Sequence, residues 1–394
     1  MRISDGVLLL AICSLIGAVV PTIVFALGMR RIRSLGVYPA ATVNDQPNVS
    51  IVIPARNEES KIREALSSVL HLDYVNYEVI VVDDRSTDRT NRILDEVAAT
   101  SNRLKIVKIE SLPRGWLGKN HALEVGASCA TGDLILFTDA DVIYESTALA
   151  RAVTYMKEHR LDHLVVGPTV RSKGFFLDSL LLLFTFHFLA HQRPWKAIDP
   201  KSQASIGAGA FSLFRASAFR AAGGMRPIAL AIADDLQLGQ LLKRNGNRQD
   251  FVSAQDYLSL EWYSSARDMV RGLTKNFFAV LQFSVFRVTA VTAAMTVCYL
   301  GPPIGALAAT GVARQLFALA TLFTLISYLV AAFYFKRRIL SALGYPVAAL
   351  GLIYMIWRSA LLTLRDGGVW WRDTFYPLEA LRAPLSGSEP AALS

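Results

Sequence analysis

Val7–Met29 is a run of 23 residues without a single charge, VLLLAICSLIGAVVPTIVFALGM. At a helical rise of 1.5 Å per residue such a segment reaches about 34 Å, against about 30 Å for the hydrocarbon core of a bilayer. A cleaved signal peptide is the competing reading. The apolar run is too long for one, and the basic stretch before it is weak. Arg30, Arg31 and Arg33 follow at once, which by the positive-inside rule places what comes next in the cytoplasm. Residues 1–33 are therefore read as an uncleaved anchor in the cell (inner or plasma) membrane.

The same pattern returns after residue 276. Val288–Ala313, Gln315–Phe335 and Ile339–Trp357 are charge-free and near spanning length, with Lys336, Arg337 and Arg338 between the last two. That junction is expected on the cytoplasmic side, in a multi-pass protein whose middle domain is cytoplasmic. Gly344-Tyr345-Pro346 and Arg358 weaken the last segment, which leaves a span and a re-entrant loop both open, and with them the side of the C-terminus. Residues 277–366 form the expected C-terminal membrane region. Residues 367–394 hold a short motif and the tail APLSGSEPAALS, read as disordered.

A chain that is 53% hydrophobic with a net charge of +9 suits an anionic cytoplasmic leaflet. No basic tract interleaved with aromatics suggests a nucleic-acid partner. Cys13 and Cys298 lie in membrane candidates and Cys129 in an expected helix. They have neither a disulfide framework nor zinc-ligand spacing, in keeping with a reducing compartment.

Residues 45–276 differ. Runs of β-branched residues alternate with amphipathic segments: VSIVIPA (Val49–Ala55), then Ile62, Leu66, Val69 and Leu70 at helical spacing, then EVIVVDD (Glu78–Asp84). A helix through Ile93, Leu94 and Val97 precedes LKIVKI (Leu104–Ile109) and DLILFTDAD (Asp133–Asp141). Asn57 is expected to cap the first of these helices, with Glu58 and Glu59 in its positive first turn. The alternation predicts an α/β domain with a mostly parallel sheet and helices on both faces.

Three polar segments end strands of that sheet: PARNEE, DDRSTD and DAD. Open α/β sheets bind ligands at the carboxyl ends of their strands. Each segment alone reads as a strand-end turn or a helix cap; three on one edge predict a ligand crevice. Asp139 and Asp141, one residue apart, repel each other, and burial raises the cost. A hard dication such as Mg²⁺ or Mn²⁺ removes that cost and completes its shell with water and phosphate oxygens. Asp83 and Asp84 can accept from a nucleobase or ribose. Lys119 in WLGKNHAL can reach phosphate as a point charge, whereas His121 reads as an ordinary helix residue. A second acidic pair, Asp234 and Asp235, opens a helix that should stop at Asn245-Gly246. It serves as a cap or as a general base that takes the proton of an attacking hydroxyl. The small-residue loop SIGAGAF, with Gly207, Ala208 and Gly209, lets an acceptor or sugar approach the backbone.

Taken in order, PARNEE, VVDDRSTD, GKNHAL, FTDAD, GAGAF and ADDLQLG resemble the family 2 glycosyltransferases of GT-A fold, over about residues 48–276. With its flanking spans the chain resembles membrane-bound members that glycosylate lipids, such as hopanoid-associated, carotenoid and ceramide glycosyltransferases. The resemblance implies inverting transfer from a nucleotide-sugar donor, a UDP-sugar first, to a lipid acceptor. By motif, Pro54, Ala55, Arg56 and Glu58 line the nucleotide pocket with Asp83, and Asp84 contacts the base. Lys119, Asp139, Ala140 and Asp141 serve the diphosphate, with Asp139 and Asp141 as metal ligands. Asp235 is the catalytic base, with Asp234, Gly207, Ala208 and Gly209 near the acceptor or diphosphate. The chain departs from polymer-making and ceramide-glucosylating relatives by lacking an Arg-Trp motif after the base; SARDMVRGLTKNFF (Ser265–Phe278) stands there. Arg271 and Lys275 are the candidates to replace it. Single addition to a small lipid is thereby favoured over a processive polysaccharide synthase, and both acidic pairs together disfavour a non-catalytic nucleotide sensor. GFFLDSLLLLFTFHFLAHQRPW (Gly174–Trp195) is expected to lie in the membrane interface, with a buried core helix as the alternative. GGVWWRDTFYPL (Gly367–Leu378) resembles a C-terminal aromatic–arginine motif of related enzymes.

Overall fold

Between Arg33 and Leu260 the β-branched runs form strands. In chain order these are β1 (Arg33–Ser34), β2 (Val49–Ala55), β3 (Tyr77–Asp84), β4 (Leu104–Ile109), β5 (Leu134–Phe137) and β6 (Ile143–Tyr144). They continue with β7 (His163–Gly167), β8 (Thr169–Val170), β9 (Ser212–Arg215), β10 (Gln249–Ser253) and β11 (Leu258–Leu260). Eight make one sheet in the order β1-β10-β7-β9-β5-β2-β3-β4, and β6-β11-β8 make a smaller one. The computed structural model describes residues 3–372 and 374–382, so the tail Ala383–Ser394 lies outside the described residues.

The large sheet is parallel except at β9, which runs antiparallel to both β5 and β7. Its strands read as unbroken apolar runs because both faces are covered. Ile51, Ile53, Val79, Val81 and Leu136 point into one core, and Val52, Ile80, Val82, Ile135 and Phe137 into the other. The side-chain period of two in β2, β3 and β5 thus divides each strand between the two layers of helices. Because β5, β2 and β3 are parallel neighbours, the three polar segments that follow them emerge side by side on one edge.

The helix after β2 spans Ile62–Leu70 and buries Ile62, Leu66 and Val69 as its spacing predicts. Asn57 does not cap it. The residue before the helix is Lys61, whose side chain makes no capping bond, while Asn57 adopts φ 55°. Its Oδ1 accepts from the Thr87 amide at 2.8 Å. The short polar side chain tolerates the left-handed conformation and ties the two strand-end loops together.

Two compact units divide the chain: Ile32–Arg171 with Gln192–Trp262, which holds both sheets, and the remainder. The second unit is helical and apolar. Among the described residues five helices are long and apolar enough to cross a membrane, Ser4–Met29, Phe175–Lys196, Val285–Ala308, Gly311–Tyr334 and Ile339–Asp366. Gly344-Tyr345-Pro346 does not break the last of them: a 3-10 turn over Ile339–Gly344 leads into a continuous helix, Tyr345–Asp366. Pro346 falls in its first turn, where the missing N–H costs nothing. Large apolar side chains face outward along these helices, among them Leu9, Ile16, Leu307 and Phe333, a surface suited to hydrocarbon rather than water.

Inside this unit the helix Phe175–Gln192 is held by polar contacts. Asp178 pairs with Arg337 Nη1 at 3.0 Å, both side chains 5% exposed, and Ser172 Oγ bonds to both. His187 Nε2 and Tyr328 Oη are 3.1 Å apart. Arg271 lies on the helix Ala266–Leu273 of the same unit. Lys275 sits 3.4 Å over the Trp371 ring, and Trp371 ends a hairpin of Gly368–Trp371 with Thr374–Pro377.

Candidate active site

Asp139 and Asp141 leave the carboxyl end of β5, and the segment is pinned to the loop before β9. The Asp139 amide donates to Gly209 O at 3.0 Å and Thr138 Oγ1 to Ala210 O at 2.7 Å. Asp234 and Asp235 open the helix Asp234–Arg244, which closes at Asn245 and Gly246 as the sequence predicts. Asp235 reaches the same loop: its Oδ2 accepts from Gly209 N at 3.1 Å and its Oδ1 from Leu236 N at 2.8 Å. Gly209 therefore contacts both acidic motifs through its backbone.

The glycines of this loop have a packing role. A Cβ on Gly207 would lie 1.8 Å from the carbonyl oxygen of Asp235, and one on Gly209 would lie 2.5 Å from the Asp139 carboxylate. Loop and helix meet backbone to backbone, which no side chain allows.

Lys119, second residue of the helix Gly118–Ser128, joins the two acidic pairs. Its Nζ lies 2.8 Å from Asp139 and 3.4 Å from Asp234. Burial works against its charge, but Asp139, Asp234 and Asp235 outweigh it and hold the ammonium firmly protonated. Burial is also the main cause that raises Asp235 above the usual carboxylate range, to about 7, with repulsion from Asp234 next and Lys119 opposing. Asp141 is raised as well, by burial and then by Asp139, against the pull of Lys61.

Pro54, Lys119, Asp139, Ala208, Gly209, Asp234 and Asp235 line one cleft, together with the apolar Leu123, Phe137, Met225 and Leu238. Ala140 is buried and Asp141 partly so, beside that cleft in sequence. The remaining sequence candidates gather at the ends of β2 and β3, where Ala55 is opposite Asp83. Asp84 takes Arg85 in a two-pronged contact, 2.7 Å to Nε and 3.1 Å to Nη2, with Arg56 Nη1 at 3.6 Å. Asp83 accepts from the Ser86 amide at 3.2 Å and holds the turn. The Glu58 amide donates to Thr90 Oγ1 at 2.8 Å. Arg271 and Lys275 belong to the helical unit described above.

Residues 50–223 match the family described as Glycosyl transferase family 2. The 4,4'-diaponeurosporenoate glycosyltransferase of Staphylococcus haemolyticus is 26% identical over 58% of this chain and 60% of its own length. The beta-monoglucosyldiacylglycerol synthase of Nostoc is 31% identical over 37% of this chain and 34% of its own. The matched stretch thus spans less than two thirds of these relatives. Among solved structures, the mannosyltransferase PcManGT from Pyrobaculum calidifontis, in complex with GDP-Man and Mn2+, superposes with a TM-score of 0.55 at 20% identity. That likeness covers 92% of this chain and 99% of the other, and it speaks for the fold.

Residues 50–223 are thus similar to family 2 glycosyltransferases. With its mostly parallel sheet and flanking helices the chain has the GT-A architecture expected from the sequence.

Several groups of this site left no signal in the sequence. Lys61 places Nζ 3.1 Å from Asp141 and 2.6 Å from the Glu261 carbonyl. Eighty residues separate Lys61 from Asp141, and in the sequence it reads as one more charge at a helix start. Arg85 left no signal as the clasp of Asp84, and Ser212 reads as a strand residue.

The residues fit a hard dication in one respect. Both carboxylates of the Asp-x-Asp pair are matched by a lysine ammonium, so the site is built for cationic compensation. Among the described residues no group of three or more His, Cys, Asp or Glu makes a metal cage. Two carboxylates with water and substrate phosphates are the usual donor set of Mg²⁺.

Proposed function

We propose that the transferase moves one sugar from a UDP-sugar to a hydroxyl of a membrane lipid at the cytoplasmic leaflet, inverting the anomeric centre, with Mg²⁺ or Mn²⁺ as cofactor. The observation that supports this most is the convergence of Asp139, Lys119 and Asp235 on a single cleft. The cleft carries an ammonium suited to a diphosphate close to a carboxylate with raised proton affinity.

In this reading Ala55–Glu58 and Asp83 line the nucleotide pocket, and Asp84, steadied by Arg85 and Arg56, accepts from the base. The acceptor oxygen bonds to the anomeric carbon as Asp235 takes its proton, and the bond to the diphosphate breaks on the opposite face of the ring. Lys119 meets the charge that accumulates on the departing oxygen. Asp139 and Asp141 would hold the dication, which when bound neutralises the leaving diphosphate. Asp235, with its affinity for a proton raised, suits a base working near neutral pH.

The lipid acceptor is supported by the five apolar helices and by relatives named for a diaponeurosporenoate and a monoglucosyldiacylglycerol product. The cytoplasmic side is supported by Arg30, Arg31 and Arg33 after the first helix. The test is transfer by the purified full chain in liposomes, with labelled UDP-glucose, Mn²⁺ and a bacterial lipid extract. A product carrying one sugar, chloroform-soluble, is expected. A ladder of lengths would instead make the chain a polysaccharide synthase, and nucleotide binding without any transfer would make it a sensor.

A further inference from the structure

Behind the cleft wall lies a buried polar chain that the mechanism above does not use. Ser212 on β9 lines the cleft, and its Oγ lies 2.8 Å from His163 Nε2 on β7. His163 Nδ1 lies 2.9 Å from Gln249 Nε2 on β10. His163 and Gln249 are fully buried and Ser212 is 4% exposed.

The direction of every hydrogen bond in this chain follows from two backbone partners. Gln249 Oε1 is 3.0 Å from the Ile206 amide, which can only donate, and Gln249 Nε2 is 2.7 Å from the Gly239 carbonyl, which can only accept. Reversing the amide would set donor against donor and acceptor against acceptor at once, so its orientation is settled. The second Nε2 hydrogen then points at His163 Nδ1, which must accept. Burial holds the imidazole neutral, lowering its pKa to about 3. A neutral ring accepting at Nδ1 carries its proton on Nε2. Ser212 Oγ is therefore the acceptor from His163, and its own hydrogen is left for a different acceptor.

Ser212 stands opposite Phe137, two positions before Asp139, in the antiparallel pairing of β5 with β9. If Asp139 serves the diphosphate and Asp235 the acceptor proton, the anomeric carbon and its ring lie in the cleft between them, which Ser212 also lines.

We infer that Ser212 donates a hydrogen bond from its hydroxyl to an oxygen of the transferred sugar, and that Gln249 and His163 are positioning residues which lock it in the donor sense. The inference rests on the donor being a nucleotide-sugar held as proposed above. It makes Ser212 a determinant of sugar retention, with no part in holding the nucleotide.

The experiment compares affinities of the full chain in detergent with Mn²⁺ for UDP-glucose against UDP, and for GDP-mannose against GDP. The pair in which the sugar improves binding is carried forward. Ser212→Ala should weaken the nucleotide-sugar about fivefold to tenfold, the loss of one neutral hydrogen bond, and leave the bare diphosphate unchanged. Gln249→Leu touches no ligand but frees the His163 tautomer, so it should reduce the sugar contribution in the same sense. The double variant should lose no more sugar contribution than Ser212→Ala alone, because the relay acts only through Ser212. Unchanged affinity of Ser212→Ala for the nucleotide-sugar overturns the inference, including the case in which only the KM for the lipid rises. Equal weakening of nucleotide-sugar and bare diphosphate overturns it as well, since Ser212 would then support the nucleotide or the fold. If the native chain gains nothing from the sugar in either pair, the donor reading itself fails and takes the inference with it.

Discussion

Replacing Asp235 by asparagine separates catalysis from binding, because the side chain keeps its size and loses its basicity. Both carboxylate oxygens are used: Oδ2 accepts from Gly209 N at 3.1 Å and Oδ1 from Leu236 N at 2.8 Å. An asparagine can satisfy only one of these amides, and its NH₂ faces the other donor to donor, which costs about 1–3 kcal/mol. Against this, one negative charge leaves a crowded group that includes Asp234 and Asp139. Stability should therefore fall by a few kcal/mol at most, and the loop and helix should stay in place. In the proposed mechanism the chemical step loses its general base, which is worth roughly 10²- to 10⁴-fold, or about 2.7–5.4 kcal/mol of barrier. UDP and Mn²⁺ affinities, which the proposed mechanism assigns to other residues, should stay within about threefold. The assay is single-turnover transfer from labelled UDP-glucose to lipid at saturating Mn²⁺, beside calorimetric titration of UDP. Transfer within tenfold of the native rate would refute the assignment of the base. Nucleotide binding lost in proportion to activity would show that Asp235 holds the donor site together instead.

Because burial and Asp234 raise the Asp235 pKa to about 7, kcat/KM should climb with pH through that region as the base loses its proton. Asp234→Asn removes the second of those causes, so the acid limb should move down by roughly one pH unit, and an unmoved profile would break the link between the two carboxylates. In the helical unit, Asp178→Ala leaves the Arg337 guanidinium buried without its 3.0 Å partner. It should cost about 3–5 kcal/mol, read as a lower unfolding midpoint in detergent, while Asp178→Leu with Arg337→Met should recover most of it. A single variant as stable as the native chain would show that water reaches the pair.

The strand–helix alternation and the three polar strand ends were legible because they are local. Apolar runs such as VIVV and LILF must be buried on both faces, and polar residues after them must come out at a strand end. The acidic pairs stood out because adjacent carboxylates call for a nearby cation, and in the structure Lys61 and Lys119 stand beside them. The reach of Lys61 to Asp141 was not legible, since a flexible side chain contacts whatever the fold brings near, and no spacing encodes it. Asn57 looked like a helix cap by position but was drawn into a contact with Thr87 thirty residues away. The glycines of GAGAF suggested room for a ligand, and in the structure that room admits the backbone of Asp235 and the carboxylate of Asp139.

By itself, the order of residues determined that this chain has apolar helices of spanning length, a mostly parallel sheet, and acidic groups at the carboxyl ends of its strands. Periodicity and charge act along the chain, and they suffice for that. Only the tertiary structure decided that Lys119 bridges both acidic pairs, that Gly209 contacts each of them, and that Ser212, His163 and Gln249 form one directed relay. Those relations join strands and loops distant in sequence. Their geometry comes from packing the sheet between its two helical layers, and the hydrogen-bond directions follow from burying polar groups where each must find a partner.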